Sequence, residues 1–291
     1  MQATMSEKPT HLMQRRRGDA GFFLVMGGLS SCFVVLIVLL LAADFMFTSF
    51  SEFRAAIAKP EIQFAFRLTI LSCTVAAILS VWVATPLGYL LARYKFPGRW
   101  VVDTLVDIPI VLPPLVLGIS LLILFHLPIG ENEWRLENWI QDTLGFKGVT
   151  YRWPAVVLAQ FSVACAFAVR TMRVTFEQID PRAEDVARTL GCTRGQAFLQ
   201  VALPQSWRGI IAAGTIAWAR ALGEFGPILV FAGATRMRTE VLSTTVFLEL
   251  NIGQLDAAVA ISLLMVMMAV SVLLLLRLLG TGLTSATGLT S

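Results

Sequence analysis

Six apolar stretches, at about 21–43, 68–92, 108–130, 153–169, 209–235 and 257–276, decide what this chain can fold into. Most reach the roughly 20 residues that a helix needs to cross a hydrocarbon core, and the fourth falls a little short. Hydrophobic residues make up 56% of the chain and charged residues 14%, against about one quarter charged in soluble domains. A soluble globule is excluded, and an all-α membrane protein with six transmembrane helices is expected. Arg15, Arg16 and Arg17 precede the first stretch as they would in a secretory signal. Its uncharged length exceeds the roughly 7 to 15 residues of a signal's apolar region and no small-x-small site closes it, so it reads as a retained span.

Orientation follows from the basic residues. If the N-terminus is inside, the inner segments hold 14 Lys and Arg and the outer ones 8, the latter largely balanced by acidic neighbours such as Glu52, Glu61, Glu131 and Glu240. This excess places both termini in the cytoplasm of a cell whose inner membrane the chain spans several times. The organisation expected is a cytoplasmic tail over 1–20, a membrane domain over 21–280 and a flexible Gly-, Thr- and Ser-rich tail over 281–291. The net charge of +4 sits at span ends and marks orientation, so no nucleic-acid partner is implied. The outer segment 131–152, with Trp134, Trp139 and the adjoining Trp153, reads as an interfacial stretch whose rings lie at headgroup level. A docking surface for an outside partner is the alternative. The inner turn from Arg93 to Trp100 is basic and reads as a topology anchor.

In the longest inner segment, Asp185-Val186-Ala187 is followed after three residues by Gly191 and, after nine more, by Val201, Leu203 and Pro204. Glycine takes positive φ without a Cβ penalty, so Gly191 suits a tight turn between two short helices, and Pro204 is expected to stop the second. The segment, about 180–204, resembles the Glu-Ala-Ala loop of ABC importer permeases, Glu-Ala-Ala-x3-Gly-x9-Ile-x-Leu-Pro. Asp185, Val186 and Val201 depart from the pattern while keeping approximate size or charge. In that family the loop docks into a cleft of a separate ATPase subunit, so the resemblance implies an ATPase-docking role for these residues.

Catalytic signatures are missing. None of Lys8, Lys59, Lys95 and Lys147 follows a glycine, so there is no phosphate-binding loop, and His11 and His126 cannot form a two-histidine metal site or a His-Glu-x-x-His helix. Cys32, Cys73 and Cys165 lie in apolar spans and Cys192 in the 180–204 loop, which implies no disulfide framework. No catalytic residue, metal ligand or cofactor is assigned.

The fifth stretch is interrupted by Arg220 and Glu224. Arg220 lies about 11 residues from Gly209, or roughly 16 Å into the bilayer at about 1.5 Å per residue. The two side chains are four apart, share a helix face and can pair. Either they form a structural ion pair or they line a water-filled pathway or gate. Gly223, Gly226 and Pro227 beside them weaken the helix and permit close approach. In the third stretch Pro109, Pro113 and Pro114 remove three backbone donors, and irregular backbone at membrane depth is tolerated only where it is buried in protein or lines water.

The run Ala219 to Pro227 resembles the Arg-x-Leu-Gly-Glu-Phe-Gly segment of the molybdate, tungstate and sulfate branch of those permeases. Gly88 to Gly98 and Asp107 to Gly118 are similar to core spans of the same branch. The resemblance covers about 66–275 and implies the type I ABC importer permease fold, with Arg220, Glu224, Gly223, Gly226, Pro113 and Pro114 as pathway or gate candidates. It also implies two copies of a cytoplasmic ABC ATPase, an extracytoplasmic solute-binding protein and a second copy of the chain as partners in the lipid bilayer. The cargo implied is an oxyanion, molybdate first, with sulfate, tungstate or another solute as alternatives. Outside transport, a membrane assembly factor is the competing reading.

Overall fold

The computed structural model describes residues 11–128, 135–145 and 148–286; the expectations for the first ten residues, for Trp134 and for the last five residues lie outside it. The chain divides into two compact units, 1–49 and 50–291. The first is one helix, α1 (His11–Phe47), whose apolar part Phe22–Phe47 is unburied. It starts ten residues before the apolar stretch does, inside the expected tail.

The second unit contains α2 (Phe50–Ala58), α3 (Pro60–Arg93), α4 (Arg99–Val111), α5 (Pro114–His126), α6 (Leu136–Leu144), α7 (Trp153–Gln178), α8 (Arg182–Thr189) and α9 (Arg194–Ala197). A π turn (Phe198–Ala202) leads into α10 (Leu203–Gln205), α11 (Trp207–Gly223), α12 (Gly226–Phe231), α13 (Leu242–Asn251) and α14 (Leu255–Ala286). Helix α14 continues into residues expected to be a flexible tail.

Small side chains set the core. Ala65, Cys73, Ala76 and Ala84 of α3 are buried with Ala164 and Ala168 of α7 and Ala213, Ala217 and Ala221 of α11. Such residues let helix backbones approach closely where no water drives them together. Buried Gln160 of α7 donates from Nε2 to the carbonyl of Ala221, 3.2 Å away, joining α7 to the end of α11. A second cluster joins α5, α7 and α12 through Phe125, Val156, Ile228 and Phe231, with the Phe125 and Phe231 rings 5.0 Å apart.

Four helices, not six, are long and apolar enough to cross a membrane: Phe22–Phe47, Pro60–Arg93, Trp153–Gln178 and Leu255–Leu275, among the described residues. The third expected span is a broken pair, α4 and α5, bent by 115° at Leu112 and Pro113. Pro113 and Pro114 supply no amide hydrogens to continue the ladder, so the chain turns there. The fifth ends as helix at Gly223 and restarts at Gly226, with Pro227 in the first turn of α12. The fourth, shortest by sequence, is a full 26-residue helix.

Candidate functional site

Two regions gather the residues singled out by sequence. The first is Arg182–Gln205. Helix α8 ends at Thr189 with Leu190 as its cap, and Gly191 follows at φ 96°, a left-handed turn that leads to α9. Thr193 and Gln196 close a capping box at the start of α9, with Thr193 N–H donating to Gln196 Oε1 at 2.8 Å and Gln196 N–H to Thr193 Oγ1 at 3.3 Å. Asp185 is exposed and pairs loosely with Arg188 at 3.5 Å. Val186, Leu190 and Leu199 stand 58%, 81% and 60% exposed. Ala187, Val201 and Leu203 are half-buried, and Pro204 is exposed.

Pro204 does not stop the second helix. The π turn at Phe198–Ala202 widens the ladder just before it, and helix resumes through α10 into α11 after a kink at Ser206. A π turn shifts the hydrogen-bond register, so the missing proline N–H and the ring meet less of the preceding turn than they would in a regular helix.

The segment is held by a residue that sequence reasoning passed over. Glu184, immediately before Asp185, is buried, and its carboxylate accepts from Tyr89 Oη at 2.5 Å and from Arg93 Nε at 2.9 Å. Arg93 also donates from Nη2 to the carbonyl of Ile179 at 2.8 Å. The Tyr89 ring packs on Phe198 of the π turn, centroids 4.5 Å apart, and on Phe176 at 5.3 Å. Arg93 therefore ties the end of α3 to the start of α8, beyond the topology-anchor role read from sequence. The available signal was the i, i+4 spacing of Tyr89 and Arg93, which puts a phenol and a guanidinium on one helix face. Nearby, Arg170 forks onto Asp107 through two hydrogen bonds and Arg173 donates to Asp103 at 2.6 Å, fastening α4 to α7.

The second region lies at the α11–α12 break. Arg220 donates from Nη2 to Glu224 Oε1 at 2.8 Å, and its guanidinium lies 4.8 Å from the Phe167 ring centroid. The environment is uneven: the Glu224 side chain is 3% exposed and that of Arg220 43%. Glu224 sits outside the helix, in extended conformation, and its carbonyl accepts from Ser243 Oγ at 2.8 Å. Gly223 is exposed, with open space around it.

One turn further, Gly226 meets Pro114, and Gly118 of α5 meets Pro227; a Cβ added at Gly118 would lie 2.9 Å from the Pro227 Cα. Gly226 and Pro114 are thus brought together, Arg220 and Glu224 are brought together, and Pro113 stands exposed at the α4–α5 bend. At the other end of the unit, Arg236 donates to buried Glu249 at 2.8 Å, with Lys59 Nζ 3.9 Å from the second oxygen. Glu240 is fully buried in the connection before α13, and burial pushes its carboxyl above the ordinary range. Among the described residues no group of three or more His, Cys, Asp or Glu could hold a metal ion.

Residues 84–285 match the family described as binding-protein-dependent transport system inner membrane component. The chain is 35% identical over 264 residues to the sulfate transport system permease protein CysT of Escherichia coli, covering 89% of this chain and 92% of that protein. It is 35% identical over 218 residues to the molybdate/tungstate transport system permease protein WtpB of Thermococcus kodakarensis, covering 75% and 78%. It is 32% identical over 243 residues to the molybdenum transport system permease protein ModB of Mycobacterium tuberculosis, covering 83% and 88%. In fold it is similar to a chain of the bacterial alginate ABC transporter in complex with alginate pentasaccharide-bound periplasmic protein. That match has a TM-score of 0.68 at 18% identity, over 98% of this chain and 100% of the other.

Proposed function

Because this chain belongs to the binding-protein-dependent transport system inner membrane components, the permeases of ABC importers, we propose that it carries a divalent tetrahedral oxyanion inward by alternating access. The sulfate and the molybdate/tungstate permeases are its relatives at comparable identity, so sulfate, molybdate and tungstate form the substrate class, with molybdate as the first choice. The partners proposed are two copies of a cytoplasmic ATPase, an extracytoplasmic solute-binding protein and a second copy of the chain. Both termini are taken to lie in the cytoplasm of a cell whose inner membrane holds the complex.

The observation that carries the coupling is the construction of Arg182–Gln205. Glu184 fastens it to α3 while Val186, Leu190 and Leu199 face outward. An apolar surface on a rigidly held helical turn suits a protein partner. Asp185, Val186, Ala187, Gly191, Val201, Leu203 and Pro204 form the docking segment of this proposal. Closure of two ATPases on ATP would draw two such segments together, and the Glu184 anchor would pass the movement to α3. Such switching needs a bistable packed assembly and no bond-making chemistry in this chain.

The pathway is proposed along the broken spans, where Arg220, Glu224, Gly223, Gly226, Pro113 and Pro114 lie at or beside the breaks. Intramembrane charge and irregular backbone face protein or water. The test is uptake of labelled molybdate and sulfate by cells carrying the whole transporter, with each unlabelled anion, and tungstate, as competitor. Uptake of at least one, blocked by the others, supports the reading. Uptake of an organic solute with none of the three anions carried or competing overturns the oxyanion assignment.

A further inference from the structure

We propose that Arg220 is the group in this chain that meets the anion in transit, with Glu224 as the residue that positions and partly neutralises it. The proposal rests on the oxyanion-permease reading above. Its first support is the uneven burial of the pair. Glu224 is enclosed while Arg220 is 43% exposed, so the open member is the one whose charge is complementary to an anion. Arg220 lies 13 residues into α11 from Trp207, about 20 Å at roughly 1.5 Å per residue, which is membrane depth. A half-exposed guanidinium there faces protein or water and not lipid, because hydrocarbon cannot replace the hydration that the charge would lose.

The second support is the hydrogen-bond inventory. Arg220 has five N–H donors, and the structure gives it one hydrogen bond, from Nη2. By contrast, Arg170 has two donors engaged by Asp107, and Arg173 bonds both Glu177 and Asp103. The two-donor edges of a guanidinium are Nε with Nη2 and Nη1 with Nη2, and Nη2 carries two hydrogens, so a single bond from Nη2 leaves one edge open. Arg220 alone of these three engages a single nitrogen among the described residues. A planar two-donor edge matches two oxygens of a tetrahedral oxyanion, a geometry that an ammonium cannot offer.

The third support is the surface around it. Arg208, Ala212, Ile216, Arg220 and Gly223 are the exposed positions of α11, spaced i, i+4, i+8, i+12 and i+15 along one face. Arg208 stands at the start of the helix, Arg220 is the one charge further along the face, and Phe167 of α7 holds it from the side at 4.8 Å. Glu224 then sets the strength of the contact. Its carboxylate competes with the anion for the same cation, which keeps binding weak enough for release, as passage through a conduit requires.

The experiment uses the permease, its ATPase and its binding protein reconstituted in proteoliposomes, with the number of sulfate or molybdate ions imported per ATP hydrolysed as the readout. Arg220→Gln with Glu224→Gln removes both charges and retains approximate shape, so a pair serving packing alone is repaired by it. The proposal expects this variant to assemble in normal yield with its import ratio lowered about tenfold or more, the scale of a lost charge-assisted hydrogen bond. Arg220→Lys keeps the charge and loses the fork, and its ratio is expected to fall less, about two- to fivefold. An unchanged ratio in the double variant overturns the proposal. Should the double variant fail to assemble, an unchanged ratio in Arg220→Lys overturns it equally. If wild-type complexes import neither anion while an organic solute delivered by the binding protein is imported, the oxyanion reading itself fails and this proposal falls with it.

Discussion

The segment Arg182–Gln205 and the crossing of α5 over α12 both turn on glycine, for different physical reasons. Gly191 is needed by its own backbone: its φ is 96°, and a Cβ added there would touch nothing within 4 Å. Gly118 is needed by its neighbour: its own helix is regular, and an added Cβ would run into the Pro227 backbone. Charge follows a similar contrast. Glu184 is buried beside a phenol and a guanidinium that is itself largely buried, whereas Glu224 is buried beside a guanidinium that stays open. The segment Arg182–Gln205 is thus anchored through Glu184 and Phe198 and exposed around them, as suits a surface that meets a partner. The membrane-depth crossing is tight where Gly118 meets Pro227 and Gly226 meets Pro114, and open beside it at Arg220 and Gly223 of α11, as suits a conduit wall.

Changes at the anchor give the largest expected effect. Glu184→Ala leaves Arg93 buried without its counter-ion and should destabilise the purified permease by about 3 kcal/mol or more. Its melting midpoint in detergent should fall well below wild type, and equal midpoints would remove the anchor from the comparison. Gly118→Val should come next, costing about 1 to 3 kcal/mol because the Pro227 backbone cannot retreat as a flexible side chain would. Gly191→Val meets no atom, so only its left-handed φ is penalised, by roughly 1 kcal/mol or somewhat more for a β-branched residue. Comparing these two glycine variants by melting midpoint, and by copurification with the ATPase, sharpens the contrast. Gly118→Val should lower the midpoint more, and Gly191→Val should lower copurification more. The smallest effect on folding is expected from Val186→Asp, within about 0.5 kcal/mol of wild type since the side chain is exposed. Its loss should be confined to ATPase copurification, and a normal yield of complex would show that Val186 lies outside the docking surface.

Much of this was legible in the sequence. Apolar length located the four helices long enough to cross a membrane among the described residues, because the hydrocarbon core imposes a length on helices, but it did not show that the third and fifth stretches are broken. The spacing of Arg220 and Glu224 indicated a pair, since four residues make about one turn. The paired prolines at 113 and 114 marked where α4 ends, but a proline says only that the ladder stops; the 115° bend depends on what α5 packs against, which is α12. The same gap explains Pro204, where a π turn absorbs the proline and helix goes on. Glu184 escaped because its partners Tyr89 and Arg93 lie 95 and 91 residues away, a distance across which local pattern carries no information. The half-exposure of Arg220 was hidden for a related reason: periodicity tells which residues share a face, and packing decides whether that face is covered.

The central claim is that Arg182–Gln205 is where an ATPase grips this permease. The most direct test places a photo-crosslinking amino acid at Leu190, 81% exposed beside Gly191, and separately at Trp82, 75% exposed on α3 at membrane depth. Membranes holding the complete transporter are then irradiated. The account expects an adduct with the ATPase from position 190 and none from position 82. No ATPase adduct from 190, or equal yields from both positions, would contradict it.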